Sequence, residues 1–402
     1  MVKICRIVLI SLSVFSPELF SQTRLLLSQA TVYDQNIFRN YQGITDWVNQ
    51  FSLYFAHDFK IKTLQGRFEY EGDLNLFYHY QERLFHTHKL GLESSLPLRS
   101  NLHLNIGTDY QWRKNKPDFN IYDSSNWLTF AHIKGNWWQP IPVQLGYEYF
   151  KRTFTNLPEF SYNEHFSFLR LTHFFPTKTT LIGEIGLAAK KYVHQQLIQE
   201  IIIYKHPGSS NGKGYGGGKQ GSQFRPDTAT VAHNLTVPKT RQWSLIIRLA
   251  QSITPKTGLS IEYTRRFKPS ENTRYLLGQE YTYSRDDELY DDPYTYGSHE
   301  WQLVLTQLLP GFSRMKIYAK FSQKSYVYPV TGELNEESDL SESNRQDQQK
   351  VFGIDLSKQI GLNRMIQTVK PYFSYSHLIN KSNEPYFDFQ GHLFSGGLDL
   401  TF

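Results

Sequence analysis

The sequence predicts an all-β fold: an antiparallel, membrane-spanning β-barrel of about sixteen strands. Three observations predict it. Segment after segment alternates apolar and polar residues with a period of two, as strands with two unlike faces require. Short turns alternate with long polar connections. Aromatic content is high, with 27 Tyr, 28 Phe and 7 Trp making 15% of 402 residues, yet mean hydropathy is negative. A barrel meets lipid with only every second strand residue, so its average composition reads as soluble. Tyr and Trp gather at membrane interfaces. The same aromatic content excludes a disordered chain. Beyond residue 21 no stretch approaches the roughly 20 apolar residues of a spanning helix.

Each element follows in order. Lys3 and Arg6 precede an apolar run, Ile7 to Phe15, and then Ser16, Pro17, Leu19, Phe20, Ser21 and Gln22. This is the pattern of a secretory signal cut after Ser21, which makes 1–21 the signal and 22–402 the barrel. The single Cys5 leaves with it, so no disulfide or zinc cluster is expected. Losing Lys3, Arg6 and Glu18 takes the net charge from +6 to +5. No compact basic tract accompanies that excess, so no nucleic-acid partner is expected.

The clearest strand runs from Leu64 to Tyr80. Leu64, Phe68, Tyr70, Leu74, Leu76 and Tyr78 share one face; Gln65, Arg67, Glu69, Glu71, Asp73 and Asn75 share the other. Leu102, Leu104, Ile106, Tyr110 and Trp112 repeat the pattern against His103, Asn105, Asp109 and Gln111. Val143, Leu145 and Tyr147 oppose Gln144 and Glu148. Trp243, Leu245, Ile247 and Leu249 oppose Ser244 and Arg248. Leu259, Ile261 and Tyr263 oppose Ser260, Glu262, Thr264 and Arg266. Met315, Ile317, Ala319 and Phe321 oppose Arg314, Lys316, Tyr318 and Lys320. Segments 127–138 and 162–174 fit either face. Segment 181–204 loses its phase near Lys190 and Lys191, which predicts a bulge or an extension above the membrane.

Short turns are predicted at 56–62, 96–101, 139–142, 175–179, 254–257, 310–313 and 361–365. Longer connections fall at 34–43, 81–86, 113–125, 152–161, 205–239, 269–297, 328–348 and 379–385. Seven short and eight long connections imply sixteen strands, or fourteen if two ambiguous segments merge. The longest loops, near 205–239, 269–297 and 328–348, are expected outside the cell.

The chain stops on Gly396-Gly397-Leu398-Asp399-Leu400-Thr401-Phe402. This strand resembles that of bacterial outer-membrane β-barrel proteins, whose terminal Phe is read by the barrel-assembly machinery. The resemblance implies an outer-membrane location in a diderm bacterium, with outer-membrane lipid, lipopolysaccharide and that machinery as partners. Phe402 is then an assembly signal. Tyr33-Asp34-x-Asn36-Ile37-Phe38-Arg39 is similar to the first hairpin of porin-like barrel families, some linked to surface polysaccharide export. It also reads simply as a polar turn, in which Asp and Asn bond their own backbone.

Charged strand residues are the candidate functional set. Glu69, Glu71 and Asp73 form an acidic row; Arg314, Lys316, Lys320 and Lys324 form a basic one; Arg248, Glu262 and Arg266 lie between. Charge at the bilayer midplane costs about 2–4 kcal/mol, so these side chains belong in the lumen. There they either set a field across an open pore or pair with one another and close it.

Other motifs carry less. Asp286, Asp287, Glu288, Asp291 and Asp292 cluster in one loop and could hold calcium, but they lack the glycine and spacing of a helix–loop–helix site. The glycine-rich stretch 212–219 fails as a phosphate loop: Lys213 stands where the first Gly belongs, and Gln220 replaces the Ser or Thr. His165 and Ser167 share a strand face without an acid or an oxyanion donor in view. No enzyme and no cofactor is expected. The function expected is passive passage of small polar solutes; the alternatives are an export conduit for surface polysaccharide or a secretion component, and an adhesive or structural surface barrel.

Overall fold

A computed structural model describes residues 23–138, 141–194, 200–205, 225–230, 237, 239–269, 291–329, 344–362 and 366–402. Its strands in chain order are β1 (Thr23–Asp34), β2 (Asp46–Ile61), β3 (Leu64–Phe77), β4 (Phe85–Arg99) and β5 (Leu102–Asn115). Next come β6 (Ser124–Trp138), β7 (Ile141–Phe154), β8 (Tyr162–Phe175) and β9 (Thr179–Tyr192). A two-stranded ribbon follows, β10 (Glu200–Lys205) and β11 (Arg225–Thr230). The sheet resumes with β12 (Lys239–Thr254), β13 (Thr257–Arg266), β14 (Tyr296–Leu309), β15 (Ser313–Pro329) and β16 (Asn344–Lys358). It ends with β17 (Ile360–Gly361), β18 (Thr368–Ser382) and β19 (Phe389–Thr401).

The sheet closes. Every neighbour pair is antiparallel, β9 pairs directly with β12, and β1 pairs with both β2 and β19. β16 and the short β17 both pair with β18 and form one stave, so the barrel has sixteen staves. Closure leaves no unpaired edge, which a membrane-spanning sheet demands. The phase loss near Lys190 lies at the end of β9, which stops at Tyr192, and the ribbon strand β10 begins at Glu200.

Two short turns are tighter than the sequence suggests. β2 runs to Ile61 and β4 to Arg99, so residues 56–61 and 96–99 are strand. Tight reversals need left-handed backbone: Lys62 has φ 55° and Lys178 φ 61°. In the β14–β15 turn Gly311 sits at φ 69° beside Phe312 at 58°. Gly takes that conformation without steric cost, and Phe does not.

Register transmits one parity round the whole barrel. Ser28 faces Ser52, Ser52 faces Asp73, Asp73 faces Thr87 and Thr87 faces Arg113. On the opposite parity, Phe68, Leu92, Ile106, Leu145, Ile185, Ile247, Leu303 and Phe373 are all exposed. That apolar parity is the outer face, and the polar parity is the interior. β6 and β8 looked ambiguous because the interior also holds Phe130, Phe166 and Phe168. Their rings lie flat on the wall over glycines: a methyl group at Gly107 would overlap Phe130, and one at Gly146 would overlap Phe168.

The densest packing sits at the loop end of the barrel. The β1–β2 loop turns inward, leaving Ile37 and Phe38 at 0% and 1% exposure. They pack with Val32, Val48, Phe77, Phe85, Tyr122, Phe154, Leu157, Phe160 and Phe387. Each fully buried side chain of this size stabilises by about 1.5–3 kcal/mol. The chain from Asp34 to Asn40 is thus an anchored plug element rather than a solvated turn.

Candidate functional site

The interior is built by the inward residues of the staves beneath that core. All ten charged candidates, Glu69, Glu71, Asp73, Arg248, Glu262, Arg266, Arg314, Lys316, Lys320 and Lys324, carry the inward parity. The structure brings them together by wall. β3 and β4 hold the acids: Lys89 Nζ lies 2.8 Å from Glu71 and 3.7 Å from Glu69. Tyr54 also donates to Glu69 at 3.0 Å. Asp73 accepts from Ser52 at 2.6 Å and from Thr87 at 3.0 Å.

The other wall is less uniformly basic than the sequence suggests. Arg248 donates to Glu262 at 2.5 Å on the adjacent stave. Glu300 bonds Arg266 and takes Lys320 at 3.1 Å. Ion pairs therefore form between strand neighbours, not across the barrel, and they remove part of the expected field. Arg314 and Lys316 have no ion pair among the described residues. Lys324 stands apart from the other inward cations: its side chain is 9% exposed and is held by Asp291. Asp291 belongs to the loop ahead of β14 and not to an adjacent strand.

The acidic loop cluster is divided in the same way. Asp292 pairs with Lys190, and Asp291 pairs with Lys324 and accepts from Tyr326 at 2.5 Å. Both carboxylates thus face lysines rather than an oxygen-lined cation site. Asp286, Asp287 and Glu288 lie outside the described residues, as do the glycine-rich stretch 212–219 and most of the loop at 328–348. His165 and Ser167 point outward, and His165 Nδ1 contacts the Tyr147 hydroxyl at 2.7 Å. Phe402 continues the outward row of Leu398 and Leu400, and its N–H donates to the Leu25 carbonyl at 2.9 Å, across the closing seam.

A cavity of about 250 Å³ opens just below the plug core. Gln50, Glu71 and Asp73 line one side; Arg113, Asn126 and Arg152 line the other, with Thr87 of β4 between. Arg113 stacks 3.9 Å over Phe85, and Arg152 donates to Asn126 at 2.9 Å. These contacts fix the guanidinium planes, so donors and acceptors are in place before a solute arrives. Arg113 and Arg152 were missed in the sequence because each sits where a strand runs into a loop. Parity was the available signal: both continue the polar rows of Asp109 and Glu148.

Arg83 was missed too. It is 2% exposed, donates to the Ile37 carbonyl at 2.9 Å and lies 4.7 Å above the Phe38 ring. Arg39 makes a bidentate pair with Asp34, at 3.0 and 2.8 Å. Asn36 donates to the Asn40 carbonyl at 2.7 Å and accepts the Asn40 N–H at 3.2 Å. Together these bonds satisfy a loop whose backbone would otherwise be buried unpaired. The first-hairpin resemblance fell on these residues without giving them a role.

Fold and interior together define a class: a closed sixteen-stave antiparallel barrel with the porin fold, polar inside and apolar outside. Solved barrels from Pseudomonas aeruginosa share it. OccK1 (OpdK) superposes with a TM-score of 0.51 at 10% identity, over 95% of this chain and 99% of that one. OpdK with vanillate gives 0.51 at 10% identity over the same shares, 95% and 99%. The outer membrane protein opdK gives 0.51 at 11% identity, over 95% and 100%. At such identities the likeness is one of fold. No family model matches the chain, and no curated protein matches it.

Proposed function

We propose that the chain is an outer-membrane pore for passive passage of small polar solutes, selected by size and by lumen charge. The observation that carries this reading is the sidedness of the closed sheet. Exposed apolar residues cover its outer parity, while carboxylates, guanidiniums, amides and hydroxyls line its inner one. Only a bilayer outside and water inside suit both faces. The cavity supports a small solute. At about 250 Å³, lined by charges of both signs, it has room for a small polar molecule. OpdK solved with vanillate is a precedent in the same fold.

The test is single-channel recording of the purified full chain in a planar bilayer. Discrete steps whose ion selectivity changes with lumen substitutions are expected. A folded, inserted barrel that never conducts at any voltage would overturn the reading in favour of a closed surface barrel.

A further inference from the structure

The outer face carries a charge pattern that passage through the lumen does not use. Followed round the register, no Asp or Glu takes the outward parity on any barrel stave among the described residues. Cations do take it at the loop-side rim. Some of these are accounted for: Lys114 pairs with Asp123, and Lys381 with Asp388. Four others gather on β7, β9 and β12. Lys151 faces Asn163, Asn163 faces Lys191, and Lys191 faces Lys239, all at one level. Arg241 lies one outward position below Lys239. All four are exposed, and none has an ion pair among the described residues.

Like charges opposed on neighbouring strands repel. The row spans three strand spacings, about 14 Å. Immediately below it stand Tyr147, Tyr149, His165 and Trp243, with Trp243 half exposed at 52%. Below those comes the apolar belt, including Leu145, Leu169, Ile185 and Ile247. The order from rim to belt is cation, then amphipathic ring, then hydrocarbon. His165 adds a polar ring at this level, its Nδ1 lying 2.7 Å from the Tyr147 hydroxyl. The same Tyr–Nδ1 contact recurs at Tyr70–His88, Tyr263–His299 and Tyr375–His392, at 2.7, 2.8 and 2.9 Å.

We infer that Lys151, Lys191, Lys239 and Arg241 form a docking surface for phosphate-bearing headgroups of outer-leaflet lipid. The inference rests on the reading of the chain as an outer-membrane barrel. Charge complementarity argues for it: four unpaired cations and no carboxylate share a face that lipid must cover. Continuity with the belt selects a lipid over a soluble anion. Acyl chains on Leu145, Leu169 and Ile185 would bring their own headgroup to the lysine level.

The probe is lipid A, with its dephosphorylated form as comparison, added to the folded full chain in detergent and read by native mass spectrometry. Wild type should retain lipid A and shed the dephosphorylated form. Each basic residue near an anionic lipid surface is worth about fivefold in binding, so the quadruple variant Lys151→Gln, Lys191→Gln, Lys239→Gln, Arg241→Gln should lose at least about tenfold. Lys151→Arg, Lys191→Arg, Lys239→Arg should keep it. Equal retention of both lipids by wild type overturns the inference and needs no variant. So does wild-type retention by a quadruple variant that remains heat-modifiable. Conductance is read separately: a barrel that conducts but ignores the phosphates sinks only this inference, and one that binds them without conducting sinks only the pore.

Discussion

Lys190 and Asp292 meet with almost no access to water, at 2% and 3% side-chain exposure. The Lys190 ammonium also lies 3.7 Å from the Tyr162 ring centre, and Asp292 caps the turn before β14 by accepting the Tyr294 N–H at 3.0 Å. Losing either charge is costly there. Asp292→Asn should destabilise the barrel by about 3–5 kcal/mol, because the buried ammonium loses this carboxylate while its desolvation cost remains. Replacing both, Lys190→Met with Asp292→Leu, should cost less. The temperature at which the heat-modifiable band shifts checks both. Asp291 adds a pH dependence. Burial pushes its carboxyl up, but Lys324 and Arg345 beside it prevail and hold it below its ordinary value of 3.8. A depressed acid stabilises the fold above its unfolded value, and that stability is lost as pH falls through the folded one. Protection of residues 291–297 against hydrogen exchange should therefore hold from neutral pH to about 4 and fail below it. In Asp291→Asn that acid step should vanish.

At the scale of the strand, β15 shows what a sequence discloses and what it hides. Its alternation places Ile317 outside and Arg314, Lys316 and Lys320 inside, and the structure agrees. Partners were hidden, because Glu300 reaches Lys320 only through the β14–β15 register. Changing all three cations to Gln should shift selectivity towards cations at low salt, with most of the effect from Arg314 and Lys316. The shift should shrink near molar salt, where screening acts within about 3 Å. Reversal potentials measured across a salt gradient decide it; no change in a conducting barrel would remove this row from the pore. β6 and β8 were illegible for the converse reason. Phe130, Phe166 and Phe168 put aromatics on the wet face, and the glycines that seat them lie on other strands. Periodicity reads one strand at a time, and these choices are made between strands.

For the whole molecule, an even number of staves returns the chain to the side where it started. β1 begins and β19 ends at the edge that carries the short turns, beside one another in register. The opposite edge carries the ribbon, the plug core and the long loops, so it is expected to face the outside of the cell. Trypsin added to intact cells tests this, with exposure and sidedness separated. Lys213, Lys219, Arg274 and Arg285 lie in the long loops and should be the places cut. Arg83 lies on the same side but is 2% exposed, under Phe38 and Phe77, and should survive. Lys256, in a short turn on the other side, should be cut only after the outer membrane is breached. Cleavage at Lys256 in intact cells, with the long loops spared, would invert the barrel. Cleavage at Arg83 would instead mean that the plug core opens, because a protease needs several residues of extended, solvated chain that this packing withholds.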